Sequence, residues 1–309
     1  MIMILILAMP TSPSIRLAAA AIAATIAVLA VAACGSDDDD SGSGTVAATT
    51  GITADLASDV AGPDLEVEQI VPDGASPHDY ELSAEDRQRL EEADLVVANG
   101  AGLEAGIPLD DVDTPIWELA DHAGKLRVAT EGDEAGDADP HVWMSPSRVA
   151  QALPSLADAF AEADPEHAPA YRRRARSYER RLQRLELDMR AQMDGIKAPN
   201  RVLVTSHDSL SYFAERFGFE VAATVFPASG AEAGASAASL SEVEDAIRET
   251  GVPAVFAQEG DDPEAMRTVA DETGVAVEYG LLVESPSSAG SYERMLRRDA
   301  DLISRALGG

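Results

Sequence analysis

The stretch DPEHAPAYRRRARSYERRLQRLELDMRAQMDG, residues 164–195, decides the fold. Asp164-Pro165 is a helix-start signal, and Gly195 is a stop signal. Between them, apolar residues recur at steps of three and four, which predicts one amphipathic helix of about 30 residues, roughly 45 Å long. A helix of that length can span two domains. The apolar positions are Tyr171, Ala175, Tyr178, Leu182, Leu185 and Met189.

The same segment carries eight arginines between Tyr171 and Arg190, which raises the question of a nucleic-acid-binding face. Three acids, Glu179, Glu186 and Asp188, interrupt the basic face. The whole chain has a formal net charge of -32, and such an acidic surface repels nucleic acid and anionic lipid headgroups. Arginine on a long exposed helix more often forms side-chain pairs and covers apolar surface, so no nucleic-acid partner is expected.

Short apolar runs alternate with helical segments on both sides of this helix, as in LEVEQIV (65–71) before it and RVLVTS (201–206) after it. Ser83 and Ser145 are placed to cap two of the helices. Alternating strands and helices predict parallel sheets covered by helices. The expected fold class is α/β, with two parallel-sheet lobes joined by one long rigid helix. The predicted boundaries are an N-terminal lobe at 45–163, the connecting helix at 164–196 and a C-terminal lobe at 197–309.

The first 44 residues have the pattern of an export signal followed by a tether. Arg16 precedes the apolar run 17–33, which ends in small residues directly before Cys34, the single cysteine of the chain. Bacterial lipoprotein signals have this form, so residues 1–33 are predicted to be cleaved and Cys34 to be acylated. Residues 34–44 then form an acidic Gly/Ser tether. The alternative is an uncleaved membrane anchor, because 17 apolar residues approach a spanning length.

Acylation at Cys34 would hold the protein on the outer face of the cytoplasmic membrane. The true start codon, Met1 or Met9, stays open. No phosphate-binding G-x-x-x-x-G-K-[ST] loop, no G-x-G-x-x-G turn and no G-x-S-x-G nucleophile elbow occurs in the sequence. These absences argue against the commonest nucleotide-binding and serine-hydrolase chemistries.

Three of the five histidines share a structural context. His78 lies in a loop after a predicted strand, His207 stands at the end of a strand, and His141 stands just before a helix. In open parallel sheets, ligands bind beyond the carboxyl ends of the strands. The other two, His122 and His167, lie near helix ends and are expected to be solvated.

Three neutral imidazoles are good ligands for Zn²⁺ and leave one position of a tetrahedron open. Acids next to these histidines, namely Asp79, Asp139 and Asp208, are able to orient the rings through their second N–H groups. No two of the histidines share a short motif, however. From spacing alone, a metal site and three separate structural histidines both remain open.

Five segments of the sequence carry a resemblance to a known family. They are GASPHDYELSAEDRQRLEEADLVVANG (74–100), DADPHVWMSP (137–146), VLVTSHDSLSYFAERFGFE (202–220), AVFAQEGDDPEAMRTVADETGVAV (254–277) and SYERMLRRDADLI (291–303). In consistent order, from about Thr45 to the C-terminus, they resemble the metal-binding substrate receptors of ABC transporters, the zinc and manganese group (cluster A-I, or cluster 9). The resemblance implies two α/β lobes, a long connecting helix and one metal in the cleft between the lobes.

The resemblance implies that His78, His141 and His207 are metal ligands. Zinc receptors of the group usually have histidine at the third position and manganese receptors have glutamate. His207 therefore favours Zn(II) over Mn(II), in keeping with the preference of zinc for nitrogen donors. The resemblance also implies a monomeric, non-enzymatic receptor that docks on a membrane permease served by a separate ATPase.

Two departures from the family pattern stand out. The family's fourth ligand is usually an aspartate after the last strand, but the corresponding place here falls near Gly280, where no aspartate occurs. The fourth position is then filled by water or by a neighbouring carboxylate, with Glu259 the first candidate and Glu284 the second.

The other departure is the loop before His141, where many zinc receptors carry a histidine-rich segment. This chain has only acids there, and the two interpretations are a solvated loop and a weak cation funnel. The acids are Glu131, Asp133, Glu134, Asp137 and Asp139.

Three other functions are compatible with the same residues. Three histidines with an open fourth position also occur in hydrolytic zinc enzymes, where metal-bound water is the nucleophile. A metal-binding surface adhesin or metal chaperone lipoprotein would need the same site. A receptor with a degenerate site would bind a metal chelate rather than a free ion.

Overall fold

Two four-stranded parallel sheets, one near each end of a long helix, form the framework of the protein. A computed structural model describes residues 44–129, 136–226, 237–261 and 263–308. The prediction of an α/β fold with two parallel-sheet lobes and a long helix is confirmed.

The sheet of the N-terminal lobe has the strand order β2-β1-β3-β4. β1 is central, and its Val46 pairs with Val67 of β2 and with Leu95 of β3. The helices of this lobe connect the strands and pack on the sheet faces. The elements are β1 (Gly44–Ala48), α1 (Gly51–Ala61), β2 (Leu65–Gln69), α2 (Ala84–Glu92), β3 (Leu95–Ala98), β4 (Ile116–Glu118), α3 (Leu119–His122) and α4 (Pro146–Ala163).

The C-terminal lobe repeats this arrangement, with the strand order β6-β5-β7-β8. All pairings are parallel, and two of them contain a register shift. The elements are β5 (Val202–Thr205), α6 (Ser211–Phe217), β6 (Glu220–Thr224), α7 (Ala237–Thr250), β7 (Ala254–Gln258), α8 (Pro263–Thr273), β8 (Ala276–Leu281) and α9 (Tyr292–Leu307).

Two strands were not anticipated from the sequence pattern, β4 and β6. β4 has three residues, IWE, too few to show alternation. β6 reads EVAAT and is rich in alanine, which is depleted in strands. Both strands form because they pair with a neighbouring strand, β4 with β3 and β6 with β5.

The long helix α5 spans Ala168–Met193, 26 residues, after a 3₁₀ turn at Pro165–His167. All six residues of the predicted apolar stripe are buried. Near its start, Arg174 donates to the carbonyl of Ala61 at the end of α1 (2.7 Å). Near its end, Arg190 donates to the carbonyl of Arg216 in α6 (2.9 Å). The helix therefore contacts both lobes.

The two helix caps differ from each other. The Ser83 hydroxyl accepts from the backbone N–H of Asp86, and the Asp86 carboxylate accepts from the backbone N–H of Ser83, which makes a reciprocal capping box. Ser145 holds the N-cap position of α4, but its side chain caps nothing. Its hydroxyl lies 3.2 Å from that of Ser147 instead, so the predicted N-cap position of Ser145 is confirmed, but without a side-chain hydrogen bond to the helix.

One continuous apolar core runs through both lobes. Trp143, Tyr178, Phe213 and Tyr292 are each fully buried or nearly so and belong to the same cluster. A smaller cluster lies on the other face of the first sheet, around Leu90 and Val96. Because both lobes share one core, they are packed against each other and not only joined by α5.

None of the helices in the described part of the chain is long and apolar enough to cross a membrane. The predicted signal sequence and Cys34 lie outside the described residues.

Candidate metal centre

Three loops bring His78, His141 and His207 together. His78 lies in the loop between β2 and α2, beyond the carboxyl end of β2. His207 follows β5 by two residues, again at a carboxyl end. His141 precedes the 3₁₀ turn Val142–Met144 that leads into α4. Two of the three histidines thus come from the N-terminal lobe and one from the C-terminal lobe, at the strand ends where the sequence predicted a ligand site.

The three rings form a tight cluster. Their centroids are 5.5 Å apart for His78 and His141, 5.4 Å for His78 and His207, and 5.3 Å for His141 and His207. Each ring offers one nitrogen, and these nitrogens lie within 4.8 Å of one another. Tetrahedral zinc with bonds of about 2.0–2.1 Å separates its nitrogen ligands by about 3.4 Å, so each ring has to move by about 1 Å or less.

Asp139 sets the orientation of the His141 ring. Its Oδ1 lies 2.9 Å from His141 Nδ1 and also accepts from the His141 backbone N–H (3.0 Å). With Nδ1 donating to the carboxylate, Nε2 keeps its lone pair for a metal. His141 Nε2 is buried and has no hydrogen-bond partner among the described residues.

Residues from the C-terminal lobe hold Asp139 in turn. Ser211 donates to Asp139 Oδ2, and the Tyr212 hydroxyl donates to the Asp139 carbonyl (2.8 Å). Burial raises the pKa of Asp139, but the hydrogen bonds and charge of His141 and the hydrogen bond from Ser211 outweigh it, so the pKa is lowered overall. The carboxylate is therefore kept ionised and available to His141.

A second polar network, within the N-terminal lobe, supports the loop that carries His141. The Asn99 side chain, directly after β3, donates to the carbonyl of Pro140 (3.0 Å). The buried carboxylate of Glu104 accepts from the Asn99 backbone N–H (2.7 Å) and from the Thr49 hydroxyl (2.6 Å). These residues were not predicted from the sequence. A position at the end of a strand, which singled out His207, would also have singled out Asn99.

Trp143 forms an apolar wall beside the cluster. Its ring centroid lies 5.1 Å from that of His141, and its indole N–H donates to the carbonyl of Val283 (2.8 Å), beyond β8. The Tyr292 hydroxyl donates to the Trp143 carbonyl (2.5 Å). These bonds connect the His141 loop to the last segment of the C-terminal lobe.

Glu259, the first candidate for a fourth ligand, is not part of the histidine cluster. Its side chain is half exposed, accepts a hydrogen bond from Ser288 (2.8 Å) and lies 3.6 Å from an Arg298 guanidinium nitrogen. The group of ligand atoms that the described residues bring together consists of the three histidines alone. The geometry therefore does not favour Glu259, because its carboxylate is engaged elsewhere.

Glu284, the second candidate, is partly buried and lines the same pocket as Glu259. Burial raises the pKa of its carboxyl group, and the nearby His78 and His141 act to lower it. The pKa of Glu284 is raised overall, because burial outweighs the opposing effect of the two histidines.

The place expected for the family aspartate is a β-bulge. Ala257 pairs with Tyr279 and Gln258 with Leu281, which leaves Gly280 as the extra residue of β8. Its φ is +96°, a conformation that side chains rarely adopt, and a Cβ there would lie 3.1 Å from Arg298. An aspartate at this position would therefore be strained in this backbone.

The remaining predicted residues have other surroundings. His122 stacks on Trp117 with ring centroids 5.4 Å apart. His167 Nδ1 lies 2.7 Å from Asp164 Oδ2. Neither ring belongs to the cluster of three. Asp79 is exposed, whereas the buried Asp139 contacts the His141 ring directly.

The acidic run before His141 is described only in part. Glu131, Asp133 and Glu134 lie outside the described residues. Asp137 is exposed, whereas Asp139 is buried against His141. Within the described part of the run, Asp139 is therefore the acid that contacts a candidate ligand.

Two α/β lobes with three imidazoles converging between them define a metal-binding receptor, and comparison with known proteins places the chain more closely. The sequence pattern of the ZnuA family, described as zinc-uptake complex component A, periplasmic, matches residues 46–306. The chain belongs to this family of metal-binding substrate-binding proteins of ABC transporters.

Curated relatives are named for different metals. The iron-binding protein YfeA of Yersinia pestis is 30% identical over 274 residues, with 85% of this chain and 86% of that protein covered. The manganese-binding lipoprotein MntA of Bacillus subtilis is 31% identical over 277 residues, with 85% and 89% covered.

Solved structures share the fold. The periplasmic zinc-binding protein TroA from Treponema pallidum superposes with a TM-score of 0.77 at 24% identity, covering 86% of this chain and 99% of that one. A manganese-bound periplasmic metal-binding protein from Candidatus Liberibacter asiaticus gives a TM-score of 0.75 at 23% identity, covering 85% and 99%.

Proposed function

We propose that this protein is an extracytoplasmic substrate-binding lipoprotein that captures Zn(II) and delivers it to an ABC-type importer. The observation that carries the proposal is the convergence of His78, His141 and His207, with ligand nitrogens within 4.8 Å of one another. The metal is the cargo, and the protein binds and releases it without chemical change.

The donor set supports zinc as the cargo. Imidazole nitrogens suit Zn(II), whereas carboxylate and water oxygens suit Mn(II). The family description names zinc uptake, and TroA, which shares the fold, is a zinc-binding protein by name. Relatives at 30–31% identity are named for iron and manganese, so the preference of this chain rests on its three nitrogens.

We infer that Glu284, rather than Glu259, supplies the fourth ligand of the bound ion. Glu284 follows Val283, whose carbonyl accepts from Trp143 beside the His141 ring, whereas Glu259 is engaged by Ser288 and Arg298. The side chain of Glu284 has to turn towards the cluster as the metal binds. A carboxylate oxygen would complete a tetrahedral N₃O site.

Delivery requires an anchor and a partner. Acylation at Cys34 would hold the receptor at the membrane through the tether at 34–44. Relatives such as MntA are named as lipoproteins, and others as ABC transporter substrate-binding lipoproteins. The proposed partner is a membrane permease that is served by a separate ATPase. The receptor binds this permease as a monomer with the metal already bound.

Metal analysis of the purified protein tests the proposal. We expect about one zinc per chain, lost in each of the three variants His78→Ala, His141→Ala and His207→Ala. His122→Ala is the matched control, because its ring stacks on Trp117 away from the cluster, and it should keep its zinc. Zinc retained in any of the three variants would remove that histidine from the site, and a preference for Mn(II) in competition would overturn the zinc assignment.

The fourth ligand has its own test in the pair Glu284→Gln and Glu259→Gln. Glu284→Gln should weaken zinc binding by at least about tenfold, because a neutral amide oxygen replaces a charged ligand. Glu259→Gln should bind as the unchanged protein does. Weaker zinc binding in Glu259→Gln alone would assign Glu259 as the fourth ligand. Unchanged zinc binding in both variants would indicate water in the fourth position.

A further inference from the structure

The face of the long helix α5 that points away from the core carries a row of arginines. At 3.6 residues per turn, these side chains lie opposite the buried stripe, and all of them are exposed. Leu187, 65% exposed, continues the row. From Arg173 to Leu187, these exposed side chains extend over about 21 Å. We call the four arginines, without Leu187, the arginine row, and its members are Arg173, Arg176, Arg180 and Arg184.

The arginine row differs from the other arginines of the same helix. Arg172 pairs with Asp158, Arg174 with Asp64, and Arg181 with Asp59 and Glu293. Within the described part of the chain, the four members of the row form no ion pair with a carboxylate. Four arginines without an ion pair on one face are unusual in a chain with a formal net charge of -32.

The arginine row lies at the edge of the molecule opposite the metal site. Arg174 pairs with Asp64, directly before the start of β2, and Arg190 contacts Arg216, shortly before the start of β6. The helix therefore runs along the amino ends of both sheets. The three histidines follow the carboxyl ends or lie beside them, so a partner that receives the metal does not reach it through this face.

The same edge is where the chain enters the folded body. Gly44, the first residue of β1, pairs with Leu65, next to the Asp64 that holds Arg174. Cys34 precedes Gly44 by ten residues, at most about 35 Å of extended chain. An acylated Cys34 would therefore keep this edge near the bilayer surface.

We propose that the arginine row is a docking surface for anionic phospholipid, which lays the receptor on the membrane with its metal site facing away. This inference goes beyond metal capture and rests on the proposed acylation of Cys34. Guanidinium groups bind phosphate through paired N–H donors, and Leu187 adds an apolar contact at the headgroup level. Acids farther than about 8 Å are screened at physiological salt, so the distant acids of the chain do little to weaken the attraction of the row for an anionic surface.

The test uses the acylated full-length protein in vesicles of phosphatidylcholine, with and without phosphatidylglycerol. An environment-sensitive dye is attached through Leu187→Cys, and a second preparation carries it through Ser287→Cys, an exposed residue of the pocket that Glu259 and Glu284 line. A lipid-attached headgroup quencher then reports which face lies on the bilayer. We expect quenching at position 187 but not at 287, only with phosphatidylglycerol, and reversed by about 0.5 M salt.

Two charge-matched variants separate the row from net charge. The row variant is Arg176→Gln/Arg180→Gln/Arg184→Gln, and the control variant is Arg248→Gln/Arg267→Gln/Arg305→Gln, exposed arginines outside α5. Each arginine near an anionic surface contributes about fivefold, so the row variant should lower the ratio of docked to undocked protein by about tenfold or more. The control variant should dock as the unchanged protein does.

Several outcomes would overturn the proposal. Equal quenching at positions 187 and 287, or quenching that does not depend on phosphatidylglycerol, would show that the row does not bind anionic lipid. Equal docking of the row and control variants would assign the effect to net charge. Quenching at 187 that appears only on membranes containing the permease would identify an acidic protein surface as the partner instead.

Discussion

His141 shows how a single side chain acquires a role from its neighbours. Its ring is buried against Trp143, and a carboxylate two residues earlier fixes which nitrogen carries the proton. A buried imidazole nitrogen without a partner costs free energy unless a ligand meets it. Asp139 therefore prepares His141 for a metal before any metal arrives.

Asp139→Asn should weaken zinc binding by about 10–100-fold while leaving the fold intact, because the amide keeps the shape but not the charge that orients His141. Isothermal titration or competition with a chelating dye measures the change. Asp137→Asn is the matched control from the same loop, since Asp137 is exposed. Equal losses in the two variants would mean that Asp139 acts only through general negative charge.

Zinc affinity should fall steeply below about pH 6, because a protonated imidazole has no lone pair for a metal. Protons and metal compete for the same three imidazole nitrogens, so metal release accompanies proton uptake. The measurement is zinc affinity across the range from about pH 8 to about pH 5. A flat profile would contradict the assignment of three histidine ligands.

At the scale of elements, the segment from β2 to α2 positions His78 by a helix cap. The Tyr80 hydroxyl, two residues after His78, donates to Asp86 Oδ2 (2.7 Å), and the same carboxylate closes the capping box with Ser83. Arg89 also pairs with Asp86. The first turn of α2 thus fixes both the start of the helix and the end of the ligand loop.

Asp86→Asn should lower the free energy of unfolding by about 2 kcal/mol at neutral pH. Burial alone raises the pKa of Asp86, but hydrogen bonds from Ser83, Tyr80 and Arg89 outweigh it and lower the pKa to about 2. A lowered carboxyl pKa stabilises the fold above the unfolded value near 3.8, and this contribution is lost as the pH falls towards 2.

Denaturant unfolding of the variant and the unchanged protein between about pH 7 and about pH 2 tests this, and the difference should shrink over the lower part of that range. Glu85→Gln, the exposed neighbour, is the control and should change stability little. A difference that is constant over the whole range would assign the effect to packing rather than to the charge of Asp86.

At the scale of the whole molecule, hydrogen bonds beside the histidine cluster connect the two lobes. The Tyr212 hydroxyl in α6 accepts from the Arg127 backbone N–H (3.0 Å) and donates to the Asp139 carbonyl, both in the first lobe. Trp143 and Val283 make a second connection, and α5 a third. With one core shared by both lobes, we expect metal release through small shifts of loops and lobes rather than wide hinge opening.

Tyr212→Phe should speed zinc dissociation by about tenfold, because it removes one hydroxyl that serves two buried backbone groups across the lobes, worth about 1–3 kcal/mol. Stopped-flow transfer of zinc to a chelator measures the rate. Tyr279→Phe, at a 48% exposed tyrosine, is the control. Unchanged dissociation in Tyr212→Phe would show that this contact does not limit release.

The class of fold and the long helix were predictable from local pattern, whereas the three histidines were singled out by their places beside strands and helices and assigned as ligands only through the family resemblance. The apolar stripe of α5 follows from a period of 3.6 residues, and each of His78 and His207 is placed by the strand that it follows. These features depend on residues close together in the chain, so sequence order alone determines them.

Contacts between distant residues were decided only by the tertiary structure. Asp139 meets Ser211 and Tyr212 across more than 70 positions of sequence, and Asn99 meets Pro140 across 41. Glu259 and Glu284 both follow strands and look alike in sequence, yet Glu259 lies beside Arg298, whereas Glu284 follows Val283, whose carbonyl is held by Trp143 next to the His141 ring. Which carboxylate reaches a metal depends on how two loops pack, and no local pattern carries that information.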